Sequence, residues 1–491
     1  MSMKILRKYL RNIIIFILVA MSISTGQVYG QTETENIDID IDIEVIPDTE
    51  GETPNTEIGV SNLTSEGAVV IEQKSAKVLY GKNENQQLFP ASTTKVLTAL
   101  LALEHGDLNE LITVGEELDL LAWDGSMAGL EKGEEITLQN LIYGLLINSG
   151  NDAANTIAVH IARKVSGESL AAQEALDYFA SMMNKRAREA GARNSNFVNP
   201  HGYHDPMHYT TPYDLALIGS AAIENELFRE VINVSFVQTA FWASGLPRFW
   251  VSRNKLTNEK ETECYYENAI GSKTGYTSKA GSCLISFANK DGQDLVSVVM
   301  KSTSGEQWHE TRELFEYGFT NFKYMNVIKK DTIIDSLQVD NSASDDLGTV
   351  SVKVSADDWG YAFNKKDIGQ IKQEIIWDPS LMSEKATEDI YRLEAPIEKD
   401  QKIGELRLTL HGEELKRFPL TAVRSVKRIK NALDILTPDL PSSNEGKSEF
   451  SWPFLILVIV ALFLFMRLMI ILNQRKRQRQ RQRYISSRRY W

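Results

Sequence analysis

Apolar positions along the chain follow three rhythms. Between about residues 60 and 325 they alternate or gather in short runs, which predicts strands at 68–72, 77–80, 269–276, 281–288 and 294–300. The last two are joined by Asp291-Gly292, a pair that favours a hairpin turn. Between the early and late strands, Leu138, Leu141, Ile142, Leu145 and Leu146 keep helical spacing, and the apolar run 96–103 opens another helix. The two ends of this stretch therefore complete one antiparallel sheet around a mainly helical insert, an α+β architecture with helices covering the sheet. From about 326 to 419 the rhythm changes to short alternating segments such as 349–354 and 402–410, which predicts a small all-β domain.

Two stretches are apolar without interruption. The first, 13–21, follows Lys4, Arg7, Lys8 and Arg11 and precedes a polar segment ending at Gly30, the form of a signal peptide over 1–30. An uncleaved anchor is the alternative, but the run is short for a bilayer. The second, 452–472, reaches about 31 Å as a helix, enough for the hydrocarbon core, and predicts a transmembrane helix. It is followed by the basic tail 473–491, with Arg475, Lys476, Arg477, Arg479, Arg481, Arg483, Arg488 and Arg489, which places the tail in the cytoplasm and everything before the span outside. Arg467, inside the span, is expected to snorkel toward the tail. Tyr484, Tyr490 and Trp491 give the tail some likeness to a nucleic-acid patch, but its place directly after a span already explains its charge, and no nucleic-acid partner is expected.

Three connecting segments remain. The acidic linker 31–59 carries an Asp-Ile repeat that could alternate as a strand, although unpaired acids and flanking prolines favour a solvated spacer. Segment 420–436 places Val423, Val426, Ile429, Leu433 and Leu436 at helical spacing among Arg424, Lys427, Arg428 and Lys430. It predicts an amphipathic basic helix, lying on the membrane surface or packed on the β domain. A juxtamembrane linker, 437–451, follows.

Formal net charge is −13, and setting aside the basic signal, span and tail leaves the part between them at about −26. Such a surface argues against DNA binding and leaves the capture of any anionic substrate to local positive groups such as Lys273. The two cysteines, Cys264 and Cys283, are compatible with a disulfide in an exported protein. A hairpin closed near Thr277 would set Cys283 opposite about Gly271, several residues from Cys264, which favours free buried thiols.

The candidate chemistry begins at Pro90-Ala91-Ser92-Thr93-Thr94-Lys95, where a hydroxyl and an amine lie one helical turn apart and share a face. A serine needs a base to take its proton, and a lysine partly buried in an apolar helix has its pKa lowered enough to serve. Alone, Ser-x-x-Lys is common by chance and describes a helix start with a solvated lysine. Two more motifs follow: Ser149-Gly150-Asn151, in a polar turn after the amphipathic helix, and Lys273-Thr274-Gly275, on a strand.

In order and spacing these three resemble the active-site signature of penicillin-binding proteins and class A β-lactamases, and the chain most resembles the low-molecular-weight D-alanyl-D-alanine carboxypeptidases. The likeness extends through Phe89-Pro90, Asp152-Ala153-Ala154, Phe197-Val198-Asn199-Pro200-His201-Gly202, His208-Tyr209-Thr210-Thr211 and Tyr276-Thr277. It implies a β-lactamase/transpeptidase-like catalytic domain over 60–325 and, from Ala395-Pro396-Ile397, the family's small β domain over 326–419. The implied substrate is a peptidoglycan stem peptide ending in D-Ala-D-Ala. Ser92 attacks the penultimate carbonyl, terminal D-alanine leaves, and water hydrolyses the acyl-enzyme.

The same resemblance implies the roles of single residues. Lys95 is the chosen base, a role disputed in this superfamily, and Ser149 relays a proton toward the leaving amine. Asn151 holds a peptide carbonyl or braces Lys95, while Lys273 and Thr274 suit the terminal carboxylate. Gly275 lets the strand edge approach substrate, and the N–H groups of Ser92 and Tyr276 form an oxyanion hole. β-Lactams are expected to acylate Ser92. No cofactor is implied, and His201, His204 and His208 lack the carboxylate or cysteine that would complete a zinc site; they are expected to brace the domain. A β-lactamase, a DD-endopeptidase and a non-catalytic penicillin-binding wall protein are the competing functions; the first would need a water-activating glutamate with no counterpart between Asn151 and Lys273.

Overall fold

In the computed structural model, residues 58–387 and 390–429 are described. The chain opens with strands β1 (Gly67–Glu72) and β2 (Val78–Lys82). A 3₁₀ turn, Ala91–Thr94, then leads into helix α1 (Lys95–His105). Lys95 through Ala102 are all buried, so α1 is the central helix of the domain rather than an amphipathic one at its surface. Short strands β3 (Leu111–Thr113) and β4 (Glu135–Thr137) pair and lead into α2 (Leu138–Leu146) and α3 (Asn151–Ser166). After α4 (Ala172–Glu189), α5 (Pro212–Glu224) and α6 (Glu226–Ile232) comes a second hairpin, β5 (Phe236–Ala240) with β6 (Pro247–Val251).

Strands β7 (Ala269–Thr277), β8 (Gly281–Lys290) and β9 (Gln293–Ser302) complete the sheet, in the order β2-β1-β9-β8-β7 and antiparallel throughout. Its two faces feed separate cores. Val69, Ile71, Ile285, Phe287, Val296 and Val298 join the core built with α1 to α6, while Ala68, Val70, Leu284, Leu295 and Val299 meet Leu314 and Phe315 of α7 (Glu306–Asn321). Lys273 lies opposite Ile285 across β7 and β8, so it shares the face turned toward α1. The expected hairpin at Asp291-Gly292 is present, both residues having positive φ.

The all-β domain starts a few residues earlier than its alternation suggests, with β10 (Phe322–Ile328) directly after α7. Six strands, β11 (Ile333–Asp340), β12 (Thr349–Val354), β14 (Ile371–Trp377), β15 (Arg392–Glu394), β16 (Lys402–Leu410) and β17 (Glu413–Ala422), form its main sheet; β13 (Trp359–Asn364) pairs with β10. A minor unit joins residues 341–346 to residues 427–429 through backbone bonds such as Ala343 N–H to Lys427 O.

Two expectations are corrected. The amphipathic helix over 420–436 does not form in its described part: Leu420 to Ala422 end β17, and Val426 bridges Ile397. Leu420 and Ala422 alternate into the β core, and that packing overrides the helical spacing of the apolar residues. Residues 430–436 lie outside the described residues, as do the signal peptide, almost all of the acidic linker, the juxtamembrane linker, the proposed span and the basic tail. Second, Cys283 pairs with Gly275 rather than lying opposite Gly271, because Thr277 already faces Gly281 and the loop is only three residues long. Both cysteines are free and buried, as expected.

Candidate active site

The turn carrying Ser92 is held in an uncommon backbone. Ala91, just before it, has φ 49°, a left-handed conformation that a residue with a Cβ adopts at a cost of about 1–3 kcal/mol. Thr93 and Thr94 close the turn by donating their hydroxyls to Pro90 O at 2.7 Å and Ala91 O at 2.8 Å. In a 3₁₀ turn residues i and i+3 eclipse, which sets Lys95 directly over Ser92. The ammonium nitrogen of Lys95 lies 2.9 Å from Ser92 Oγ.

Lys95 is wholly buried yet faces no carboxylate at hydrogen-bonding distance. Its other partners are Asn151 Oδ1 at 2.8 Å and His201 O at 2.9 Å. Burial, and next the charge of Lys273, hold its pKa well below the ordinary lysine value, with Asp152 opposing. Asn151 thus braces Lys95 rather than standing free.

Ser149 ends the turn between α2 and α3 with φ 61°, a second left-handed non-glycine at the site. Its Oγ accepts from Lys273 Nζ at 3.0 Å, and the same ammonium reaches Thr274 O at 3.0 Å. Burial first, then the exposed Arg253, bring the Lys273 pKa down to about 7. Three stretches separated by more than fifty residues each are thereby brought into one cleft: Ser92 with Lys95, Ser149 with Asn151, and Lys273 with Thr274.

A Cβ on Gly275 would lie 2.8 Å from Pro90 O and 2.9 Å from Ser92 N, so its lack of a side chain lets β7 press against the turn that carries Ser92. Gly202 closes on the same turn, where a Cβ would lie 1.7 Å from Ala91 O, and its φ is +79°. Tyr276, next along β7, is 70% exposed.

The histidines act as braces. His208 Nδ1 accepts from Val198 N–H at 3.1 Å, which fixes the neutral tautomer with its proton on Nε2, and that nitrogen donates to Thr94 Oγ1 at 2.9 Å. Burial drives the His208 pKa down to about 3. His201 Nδ1 accepts from Tyr203 N–H at 3.1 Å. Both nitrogens of His208 are thus taken by protein partners.

Sequence reasoning missed a clamp. The Asp152 carboxylate accepts from the N–H groups of Ala128, Gly129 and Leu130 at 2.7, 2.8 and 3.0 Å, fixing the loop before β4 beside Asn151. Asn151 N–H donates to Ser126 O of that loop at 2.7 Å. The buried Arg248–Glu134 pair and Trp250 Nε1, which donates to Ala128 O at 2.9 Å, tie the same loop to β6. An acid one residue after Ser-x-Asn was the only legible signal; Arg253 had none.

A family model described as D-alanyl-D-alanine carboxypeptidase matches residues 53–304, and one described as penicillin-binding protein 5, C-terminal domain, matches residues 322–428. The D-alanyl-D-alanine carboxypeptidase DacF of Bacillus subtilis (strain 168) is 30% identical over 372 residues, covering 74% of this chain and 86% of the relative. DacD of Escherichia coli (strain K12), also a D-alanyl-D-alanine carboxypeptidase, is 27% identical over 374 residues, covering 73% of this chain and 86% of its own. Among solved structures, penicillin binding protein 5 from Haemophilus influenzae superposes with a TM-score of 0.59 at 25% identity, covering 76% of this chain and all of that one.

Proposed function

The chain belongs to the D-alanyl-D-alanine carboxypeptidase family, and from that membership we propose how its own residues divide the reaction. Its activity is that of a serine hydrolase that removes a terminal D-alanine through an acyl-enzyme. In our reading Ser92 is the nucleophile and Lys95 the base. The observation that carries this assignment is the 2.9 Å contact between Lys95 Nζ and Ser92 Oγ, made by a buried lysine whose pKa is lowered. A neutral Lys95 takes the hydroxyl proton as Ser92 Oγ bonds to the carbonyl carbon of the penultimate residue. The carbonyl π pair moves to oxygen, where the N–H groups of Ser92 and Tyr276 receive it.

Collapse of this adduct expels the D-alanine amine, which needs a proton. Ser149 is suited to relay the proton that Lys95 took: it gives its own O–H proton to the amine and receives one from Lys95, which is then neutral again, while its Oγ keeps the bond from Lys273. Lys273, with Thr274, binds the terminal carboxylate of the substrate. Asn151 holds the Lys95 amine on line with Ser92. Water then attacks the ester carbonyl as Lys95 takes its proton, and Lys95 returns that proton to Ser92 Oγ as the acyl bond breaks. A β-lactam presents the same acyl-D-alanine outline and acylates the same oxygen.

The test is D-alanine release from a synthetic pentapeptide, together with covalent labelling by fluorescent penicillin. Ser92→Ala is expected to abolish both, and Lys95→Ala to reduce release by at least about 10³-fold while substrate still binds. Equal labelling of the native chain and Ser92→Ala would remove Ser92 from the mechanism. Cross-linked muropeptides in a parallel assay measure the share of endopeptidase action.

We further propose export by the signal over 1–30 and anchoring by the span over 452–472, with the catalytic domain outside the cytoplasm. The support is the sequence pattern of those segments, which lie outside the described residues. Among the described residues no helix is long and apolar enough to cross a membrane.

A further inference from the structure

The turn between β1 and β2 lies against the β domain around a cavity of about 340 Å³. Its floor is aromatic, with Tyr324 from β10 and Trp359 and Tyr361 from β13. Trp359 and Tyr361 lie face to face at 5.7 Å and 19°. The cavity is built rather than accidental: a Cβ on Gly360, between those two rings, would lie 2.1 Å from Tyr324 Oη, so only glycine lets that ring cross β13.

Three ammonium groups ring this floor. Lys74 Nζ stands 5.3 Å from the Tyr324 ring centre, Lys77 Nζ 5.4 Å from Tyr361, and Lys416 Nζ 5.5 Å from Trp359. None of the three forms an ion pair among the described residues. The nearby acids are committed elsewhere: Asp358 accepts Lys330 N–H at 2.7 Å, and Glu72 accepts Lys74 N–H at 3.1 Å and Ser75 N–H at 2.7 Å. In a chain whose exported part carries about −26, three cations with unused donors over aromatic faces form a local exception.

The cavity is also remote from the cleft. Lys74 leads into β2, one edge of the five-stranded sheet, and Lys273 lies on β7, the other edge. Four strand spacings separate them, roughly 19 Å.

We propose that this cavity is a second binding site, for an oxyanion-bearing saccharide polymer. Sugar rings lie against the Trp359 and Tyr361 edge, and a carboxylate or phosphate on the polymer is held by Lys74 and Lys416, with Lys77 behind them. The two ends of the sheet then have different tasks: β7 meets a short peptide, and the β1–β2 turn holds the polymer that carries such peptides or lies beside them. No covalent step is involved, and the site stands independently of the roles assigned to Ser92 and Lys95.

The experiment uses the full chain in detergent micelles and three probes that cannot occupy a peptide cleft. These are glycan strands stripped of their stem peptides, which expose lactyl carboxylates; a polymer of sugar phosphates; and neutral chitin oligosaccharides of matched length. At least one anionic probe is expected to bind tenfold or more tightly than chitin, and which one does so identifies the source of the oxyanion. The double variant Lys74→Glu with Lys416→Glu, both exposed positions, is expected to lose that advantage while hydrolysing free pentapeptide at the native rate. As a check that needs no variant, native binding to the anionic probe should weaken at least tenfold between 50 and 500 mM salt, on the scale expected when about two oxyanion contacts are screened. Anionic and neutral probes binding alike, salt-independent binding, or a double variant that binds like the native chain would each overturn the proposal.

Discussion

Lys95 and Lys273 are buried cations, and their burial makes both activity and stability depend on pH. The proposed roles need Lys95 neutral and Lys273 charged, so kcat/KM for pentapeptide is expected to fall as pH rises through about 7, where Lys273 of the free enzyme loses its proton. Stability moves the other way. The folded pKa of Lys273 is about 7 against 10.5 for an ordinary lysine, so between those values the unfolded chain binds a proton that the folded chain does not. Stability therefore rises with pH across that window and is level above it. Urea midpoints measured from pH 6.5 to 10 should climb less steeply for Lys273→Met than for the native chain; parallel profiles would show that Lys273 is not the group responsible. At this scale the sequence was generous, because a spacing of three residues such as Ser92-x-x-Lys95 carries its own contact. It was silent on Arg253 and on the close approach at Gly275, whose neighbour is a turn about 180 positions away in the chain and so leaves no local mark.

At the scale of elements, the site depends on how α3 begins. Asp152 in its first turn gathers three loop N–H groups, a favourable place for an anion beside the helix N-terminus. Asp152→Ala leaves those donors buried without an acceptor and is expected to destabilise the domain by about 2–4 kcal/mol. The loop facing Asn151 should loosen as well, raising KM for pentapeptide; unchanged denaturation and KM would count against the clamp. The strands and the helix at 138–146 were readable because alternation and 3.6-residue spacing report burial directly. Segment 420–436 was not, since residues three apart can also meet a sheet edge when Ile397 and Ser351 supply the backbone partners.

For the whole molecule, the proposed span makes a prediction that needs no structure. The full chain is expected to stay with membranes through an alkaline carbonate wash, whereas a chain ending at residue 451 should appear in the soluble fraction and still hydrolyse pentapeptide. Retention of the shortened chain would transfer the anchoring role to another segment. Domain order was legible because each domain has its own rhythm and its own core: the sheet with its helices on one side of residue 322, and the β-domain core of Val350, Val352, Leu406 and Leu408 on the other. Which surfaces the two domains offer each other was not legible, because the rings and lysines around Gly360 come from four separate strands and turns.

The two glycines that press on the Ala91–Thr94 turn leave little room for variation. At Gly202 and Gly275 a single added methyl would strike main-chain atoms, which cannot rotate aside as a side chain can. Gradual change by one substitution at a time is therefore closed off around Ser92 Oγ itself. Any inherited shift in which acylating compounds the enzyme tolerates would have to begin farther out, at solvent-facing positions such as Trp123 and Tyr276, where a new side chain displaces only water.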